Sequence, residues 1–291
     1  MSIHLNSACK VNLLLNILGR RPDGFHDLET VFQPIALCDS LELSPLPQGI
    51  QLTCDHPDLP VDSSNLIHRA ADKFLQTTRL AGGVRIHLKK NIPLAAGLGG
   101  GSGNAATTLM GLNQLFGNPL APAQLHELAA ALGSDVPFFL QSQPALGLGR
   151  GEILEPLPPF RALQGAWILL VHPGFGVSTA WAYQRLAQFP AALNGRPGRA
   201  RELVTLLQTS DLVTAGKAFY NSLEAPVLEK YPLLRMFQDF LRAQGAAAAI
   251  MSGSGSTTFA LAASQSAAEK LQTQFQAQFG KTHWTALVPV G

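Results

Sequence analysis

The stretch NIPLAAGLGGGSGNAATTLMGLNQLF, Asn91 to Phe116, puts glycine at 97, 99, 100 and 101, directly before an alanine-rich apolar segment. Glycine loses more backbone freedom on folding than any other residue, so a run of it needs a physical reason. Upstream, GGVRIHLKKNIPL alternates Val84, Ile86 and Leu88 with Arg85, His87 and Lys89, which predicts a half-buried strand. Downstream, Ala105, Leu109, Leu112 and Phe116 share one face of a helix predicted to begin near Ser102–Ala105 and to stop at Gly117–Pro119. A glycine loop between a strand and a helix lets successive N–H groups close on one anion at the positive end of the helix. Phosphate binding is the expectation. A hinge or a tight strand–helix packing point is the other use of such glycines.

Two familiar glycine loops are excluded by the letters. No lysine follows these glycines, so GxxxxGK[ST] fails; the sixth position of either GxGxxG frame is Ser102 or Asn104.

At 291 residues, with 46% hydrophobic and 14% charged positions, the chain predicts a well-cored globular protein of two domains, about residues 1–160 and 161–291. A net charge of +2 without a Lys/Arg block argues against a nucleic-acid partner. No apolar run approaches membrane-spanning length, and MSIHLNSACK has no basic stretch followed by an apolar core. Cys9, Cys38 and Cys54 form neither a disulfide framework nor a metal knuckle, and fit a reducing cytoplasm.

Before the loop, KVNLLLNIL is a short apolar run bounded by the turn-forming GRRPDG, and LETVFQPIAL and DSLELSPL read as strands broken by Pro34 and Pro45. SNLIHRAADKFLQTT reads as a helix capped by Ser64 or Asn65. PAQLHELAAAL is a helix ending at Gly133, and Pro137 disfavours helix at Val136, placing Asp135 at a chain reversal before an apolar strand. Beyond residue 160 come a strand (GAWILLVHP), a helix (STAWAYQRL) and a Gly/Pro/Arg loop (PAALNGRPGRA). Helices near Arg201–Leu207 and Pro232–Gln244 follow, then strand–turn–strand over AAAAIMSGSGSTTFALAA, a helix and a last strand, THWTALVPV. The order predicts two α+β domains.

Three segments, in order and covering nearly the whole chain, resemble the motifs of the GHMP small-molecule kinases. They are ACKVNLLLNILGRRPDGFHDLETVFQ, PLAAGLGGGSGNAAT and IMSGSGSTTFAL. The resemblance implies the GHMP kinase fold, with a ribosomal protein S5 domain 2-like N-terminal domain containing a left-handed βαβ unit and a ferredoxin-like C-terminal domain. It implies ATP and Mg²⁺ as cofactors, a monomer or homodimer, and no membrane partner. KVNLLL with DGFH favours the branch that phosphorylates an erythritol hydroxyl of a cytidine diphosphate conjugate. A relative acting on mevalonate or homoserine, and a catalytically silent GHMP-fold binding protein, are the rivals.

Carried over by position, the resemblance makes Asp135 the carboxylate that orients the attacking hydroxyl and accepts its proton, and Lys10 the cation that stabilises charge. Gly97, Leu98, Gly99, Gly100, Gly101 and Ser102 would cradle the nucleotide phosphates, with Pro93 and Asn65 also on the nucleotide side. Asn12, His26 and Thr179 would contact substrate, His26 reading the cytosine edge between Phe25 and Tyr183. Lys89 and Lys90 are candidates to screen phosphates. Two departures stand out: Phe25 replaces the usual tyrosine, and Gly103 replaces a serine of GLGGGSSNAA. The second removes a hydroxyl near the helix start.

Overall fold

The computed structural model of the chain describes residues 2–290. Its contacts divide into two compact units drawn from interleaved stretches of sequence. The first takes the chain up to Cys9, Leu37–Pro93 and Gly99–Ser142; the second takes Lys10–Ala36, Leu94–Leu98 and the chain from Gln143 onward. Two long strands, β1 (Ile3–Arg20) and β2 (His26–Leu46), contribute to both.

The first unit continues with β3 (Gly49–Cys54), α1 (Leu66–Thr78), β4 (Gly83–Lys89), α2 (Gly100–Leu115) and α3 (Pro122–Leu132). β4 pairs antiparallel with Ser40–Leu46 of β2 and parallel with β3, the parallel partners being joined through α1. Val84, Ile86 and Leu88 are buried while Arg85, His87 and Lys89 are exposed, the alternation a half-buried strand requires. Asn65 is the cap of α1, its Oδ1 accepting from Ile67 N at 2.9 Å. The α1 face of Ile67, Ala70, Ala71 and Phe74 is buried, and Phe74 stacks on Phe116 with centroids 6.1 Å apart.

Three local expectations are corrected in this part of the chain. β2 is one strand running through Pro34 and Pro45. Pro34 falls between the β2 residues paired with β5 (Thr30–Phe32) and those paired with β4 (Ser40–Leu46), so on that edge it interrupts neither ladder. α2 begins at Gly100 rather than at Ser102–Ala105, so Gly100, Gly101 and Gly103 lie inside the helix. Pro137–Leu140 is a 3₁₀ turn and Val136 is helical (φ −64°, ψ −42°) despite the proline that follows. Burial of Val136, Phe138 and Phe139 outweighs that local preference.

The second unit adds β5 (Ala145–Leu148), β6 (Ile153–Pro156), β7 (Trp167–His172), α4 (Thr179–Leu186), α5 (Pro190–Leu193), α6 (Arg199–Thr209) and α7 (Leu212–Gly216). It ends with β8 (Tyr220–Asn221), α8 (Glu224–Lys230), α9 (Pro232–Ala243), β9 (Ala248–Met251), β10 (Thr258–Ala262), α10 (Gln265–Phe279) and β11 (Trp284–Pro289). PAALNGRPGRA is therefore not all loop, because α5 occupies its start. β11, β7, β10 and β9 form an antiparallel sheet in that order. The last strand beside the first, then the third and the second, is the ferredoxin-like arrangement. Its core joins Leu169 and Val171 of β7, Phe237 and Leu241 of α9, and Leu271 and Phe275 of α10.

Candidate active site

On β1, Lys10 and Asn12 point to the same side because strand side chains alternate. Both are 3% exposed. Lys10 Nζ donates to Asn12 Oδ1 at 2.6 Å and to Gly97 O at 3.2 Å, and lies 5.6 Å from the centre of the Phe32 ring. Asn12 Nδ2 donates to Thr30 Oγ1 at 2.8 Å, and that hydroxyl donates to Leu14 O at 2.7 Å. Thr30 thus fixes which end of the Asn12 amide faces the lysine. A buried ammonium among oriented oxygens is a fixed source of positive charge, which an anionic ligand meets without reorganisation.

Gly97 joins this group to the third motif. Its φ is +76°, and a Cβ there would lie 2.0 Å from Ser252 O. Ser252 Oγ donates to Gly97 O at 2.9 Å, and Thr257 N donates to Ala96 O at 3.2 Å. The main chain of the glycine loop and the SGSGS turn therefore touch directly, a packing role that the letters left open beside phosphate binding. Leu98 is 1% exposed, so its side chain serves the core while its carbonyl accepts from Lys10 N at 3.0 Å.

In the first unit, Gly99 (φ +71°) is the cap residue of α2 and brings no side-chain acceptor. The first turn holds no acidic residue, and the first helical bond runs from Gly103 N to Gly99 O at 2.9 Å. The amides of Gly100, Gly101 and Ser102 precede it, at the end of a helix that favours anions. A Cβ on Gly101 would find nothing nearer than Leu66 Cδ1 at 3.8 Å. Gly103 is different: a Cβ there would lie 2.5 Å from Ala8 O and 3.1 Å from Ser7 Oγ. The departure at 103 thus seats α2 against β1, and the position faces buried main chain.

Asp135 is half-buried in the turn between α3 and the 3₁₀ segment. Asn65 uses both ends of its amide, since Nδ2 also donates to Pro60 O at 2.7 Å. Pro93 is half-buried just after the segment held by Asp39. Lys90 is 4% exposed and pairs at 2.7 Å with Asp39, which is fully buried, while Lys89 is exposed at the strand end. Asp39 Oδ1 also accepts from Asn91 N and Ile92 N, each at 2.8 Å, and Lys90 donates to Ile92 O as well. Lys90 is thus a brace for the chain entering the glycine loop.

His26 and Tyr183 pack with ring centroids 5.1 Å apart. Burial, with a contribution from the Arg20 charge, holds His26 below the usual histidine range. Phe25 is 51% exposed with the Arg150 guanidinium 4.8 Å from its ring centre. Each of the two rings expected to flank a base therefore already has a neighbour: His26 for Tyr183, Arg150 for Phe25. Thr179 Oγ1 lies 2.8 Å from Ser254 Oγ, so this hydroxyl also meets the SGSGS turn. Sequence reading missed Thr30, Asp39 and Arg150. Thr30 and Asp39 carry a faint signal, a polar residue inside an apolar strand run; Arg150 carries none.

Residues 65–143 match the model described as GHMP kinases N terminal domain, and residues 190–281 that described as GHMP kinases C terminal. The chain is 43% identical over 283 residues to 4-diphosphocytidyl-2-C-methyl-D-erythritol kinase of Acaryochloris marina, spanning 94% of this chain and 91% of that one. It is 42% identical to the protein of the same name from Moorella thermoacetica, covering 94% of each chain. Among solved structures, a 4-(cytidine 5'-diphospho)-2C-methyl-D-erythritol kinase aligns with TM-score 0.78 and 33% identity over 99% of this chain and 100% of its own. Homoserine kinase from Cytophaga hutchinsonii also aligns with TM-score 0.78, at 22% identity over 99% of this chain and 95% of that one, a likeness of fold.

Proposed function

This chain belongs to the GHMP kinases, and on that premise we propose that it transfers the γ-phosphoryl group of ATP to the erythritol 2-hydroxyl of 4-diphosphocytidyl-2-C-methyl-D-erythritol, within non-mevalonate isoprenoid precursor biosynthesis. The observation that carries the substrate is identity of 43% across 94% of the chain to a kinase named for it. The mevalonate and homoserine kinases share the fold at 17% and 22% identity, too little to transfer a substrate.

The chemistry asks for positioning and charge stabilisation, with little covalent work by the protein. The amides of Gly100, Gly101 and Ser102 bind ATP phosphate at the α2 terminus. Asp135 orients the acceptor hydroxyl and takes its proton. Lys10, held by Asn12 and Gly97 O, stabilises negative charge on the transferring group. Transfer is in line, and no residue is phosphorylated on the way. His26, neutral and so offering a donor and an acceptor, reads the cytosine edge beside Tyr183 and Phe25. Thr179 and Asn12 add polar contacts.

Mg²⁺ is the expected counter-ion of the nucleotide. Among the described residues no group of three or more His, Cys, Asp or Glu could hold a metal ion. The ion would be carried chiefly by the nucleotide phosphates and water. The odd number and wide spacing of Cys9, Cys38 and Cys54 agree with a reducing, cytoplasmic setting.

Phosphorus NMR of the reaction mixture tests the proposal. A new phosphomonoester resonance should grow while the cytidyl diphosphate resonances persist. Loss of ATP signal without that resonance would overturn it.

A further inference from the structure

The segment YNSLE, Tyr220 to Glu224, contains none of the motifs that point to the site. Asn221 is nevertheless 2% exposed and fully engaged. Its Nδ2 donates to Met251 O at 2.8 Å and to Gly253 O at 2.7 Å, while its Oδ1 accepts from Leu223 N at 2.9 Å. Three residues on, Glu224 Oε1 accepts from Met251 N at 2.8 Å. The end of β9 is thus held on both its N–H and its carbonyl side, and Asn221 reaches one step further into the turn.

Two main-chain bonds close that turn, Gly255 N to Ser252 O and Ser252 N to Thr257 O, each at 2.9 Å, and both leave the Gly253 carbonyl to Asn221. Ser252–Ser256 consists of glycine and serine, which bring wide backbone freedom and no apolar side chain to pack. Its main chain nonetheless lies hard against the site: a Cβ on Gly253 would fall 2.9 Å from Gly97 O and 3.4 Å from Asn12 Oδ1. Ser252 Oγ shares the Gly97 carbonyl with the Lys10 ammonium, and Ser254 meets Thr179. Moving Gly253 would therefore move the oxygens on which Lys10 is seated.

We infer that Asn221 is a positioning residue for phosphoryl transfer: by clamping the Met251 and Gly253 carbonyls it holds the SGSGS turn against Gly97 and so fixes the Lys10 ammonium. The inference rests on the kinase reading for its kinetic consequence, but not for the clamp itself. Asn221→Asp is nearly isosteric and replaces both donors with a carboxylate facing two carbonyl oxygens. Asn221→Ser keeps one donor and serves if the aspartate variant does not fold. Leu241→Ala, in the fully buried core of the same unit, is the control for simple loss of stability.

Two readouts are paired. Hydrogen–deuterium exchange over residues 251–257 should speed up about tenfold or more in the Asn221 variant and stay near wild type in Leu241→Ala at matched loss of Tm. The kcat per folded molecule should fall about tenfold or more, with both KM values within roughly threefold, the pattern of an interaction lost in the transition state. Unchanged exchange in the turn would overturn the clamp whether or not the wild-type chain is a kinase. Faster exchange with an unchanged kcat, in a wild-type background that turns over, would overturn the positioning role alone. No turnover by wild type, with faster exchange in the variant, would reject the kinase reading and the role in transfer while leaving the clamp standing.

Discussion

Lys10 and Asn12 sit two residues apart on one face of β1, and the lysine ammonium meets the amide oxygen at 2.6 Å in a nearly solvent-free setting. The contact presents a buried positive charge whose direction is set by Thr30 through the other end of the amide. Lys10→Met keeps the length of the side chain and removes the charge. The expected loss is about 10²–10³ in kcat, the cost of removing one preorganised stabilising donor. Affinity for a nonhydrolysable ATP analogue, measured by calorimetry, should change little.

Asp135→Asn keeps shape and removes the proton acceptor. Turnover should fall by about 10²–10⁴ while nucleotide binding holds. Near-normal kcat in this variant would reject the role given to Asp135.

Gly103→Ser restores the letter usual in the related motif, but its new Cβ would lie 2.5 Å from Ala8 O. The neighbour is main chain, so relief requires α2 or β1 to shift. Urea denaturation should show a loss of about 1–3 kcal/mol. ATP affinity should not rise, because the position faces β1 and not the first amides of α2.

His26 supplies a pH test. Burial lowers its pKa, so the neutral ring is favoured in the folded protein and persists below the usual value of about 6.5. As pH falls through the lowered pKa, the ring gains a proton and loses its acceptor, so KM for the cytidyl substrate should rise. His26→Gln cannot titrate and should flatten that acid limb. His172 is also held low by burial, so the unfolded chain takes up its proton first and stability falls as pH drops below the usual histidine range. That effect appears in Tm and is separable from KM.

Asp39→Ala would leave the Lys90 ammonium buried without its carboxylate, and the Asn91 and Ile92 amides without their acceptor. A loss of about 3–5 kcal/mol is expected from denaturant melts. Full stability in this variant would contradict the brace.

Local patterns carried much of the fold. The alternation of β4, the Asn65 cap of α1, the limits of α3 and the β9–β10 hairpin follow from rules acting over a few residues. What escaped was decided by distant partners. Pro34 lies within one strand where β2 exchanges partners, Pro45 is carried in the same strand opposite Val84 of β4, and Val136 turns helical because Phe138 and Phe139 are buried. β8 has only Tyr220 and Asn221 and exists through its pairing with Leu14 and Leu15 of β1. Within the candidate site, the glycines, Lys10 and Asp135 were legible by motif. Thr30, Asp39 and Asn221 were not, since each acts by gripping main chain or another side chain that is remote in sequence.

The most direct measurement is ADP release from Mg-ATP by the purified chain, with 4-diphosphocytidyl-2-C-methyl-D-erythritol, mevalonate, homoserine or no acceptor. Turnover is expected with the cytidyl substrate, and background rates with the other three. Turnover with mevalonate or homoserine instead, or none with any acceptor from folded protein, would contradict the proposed reaction.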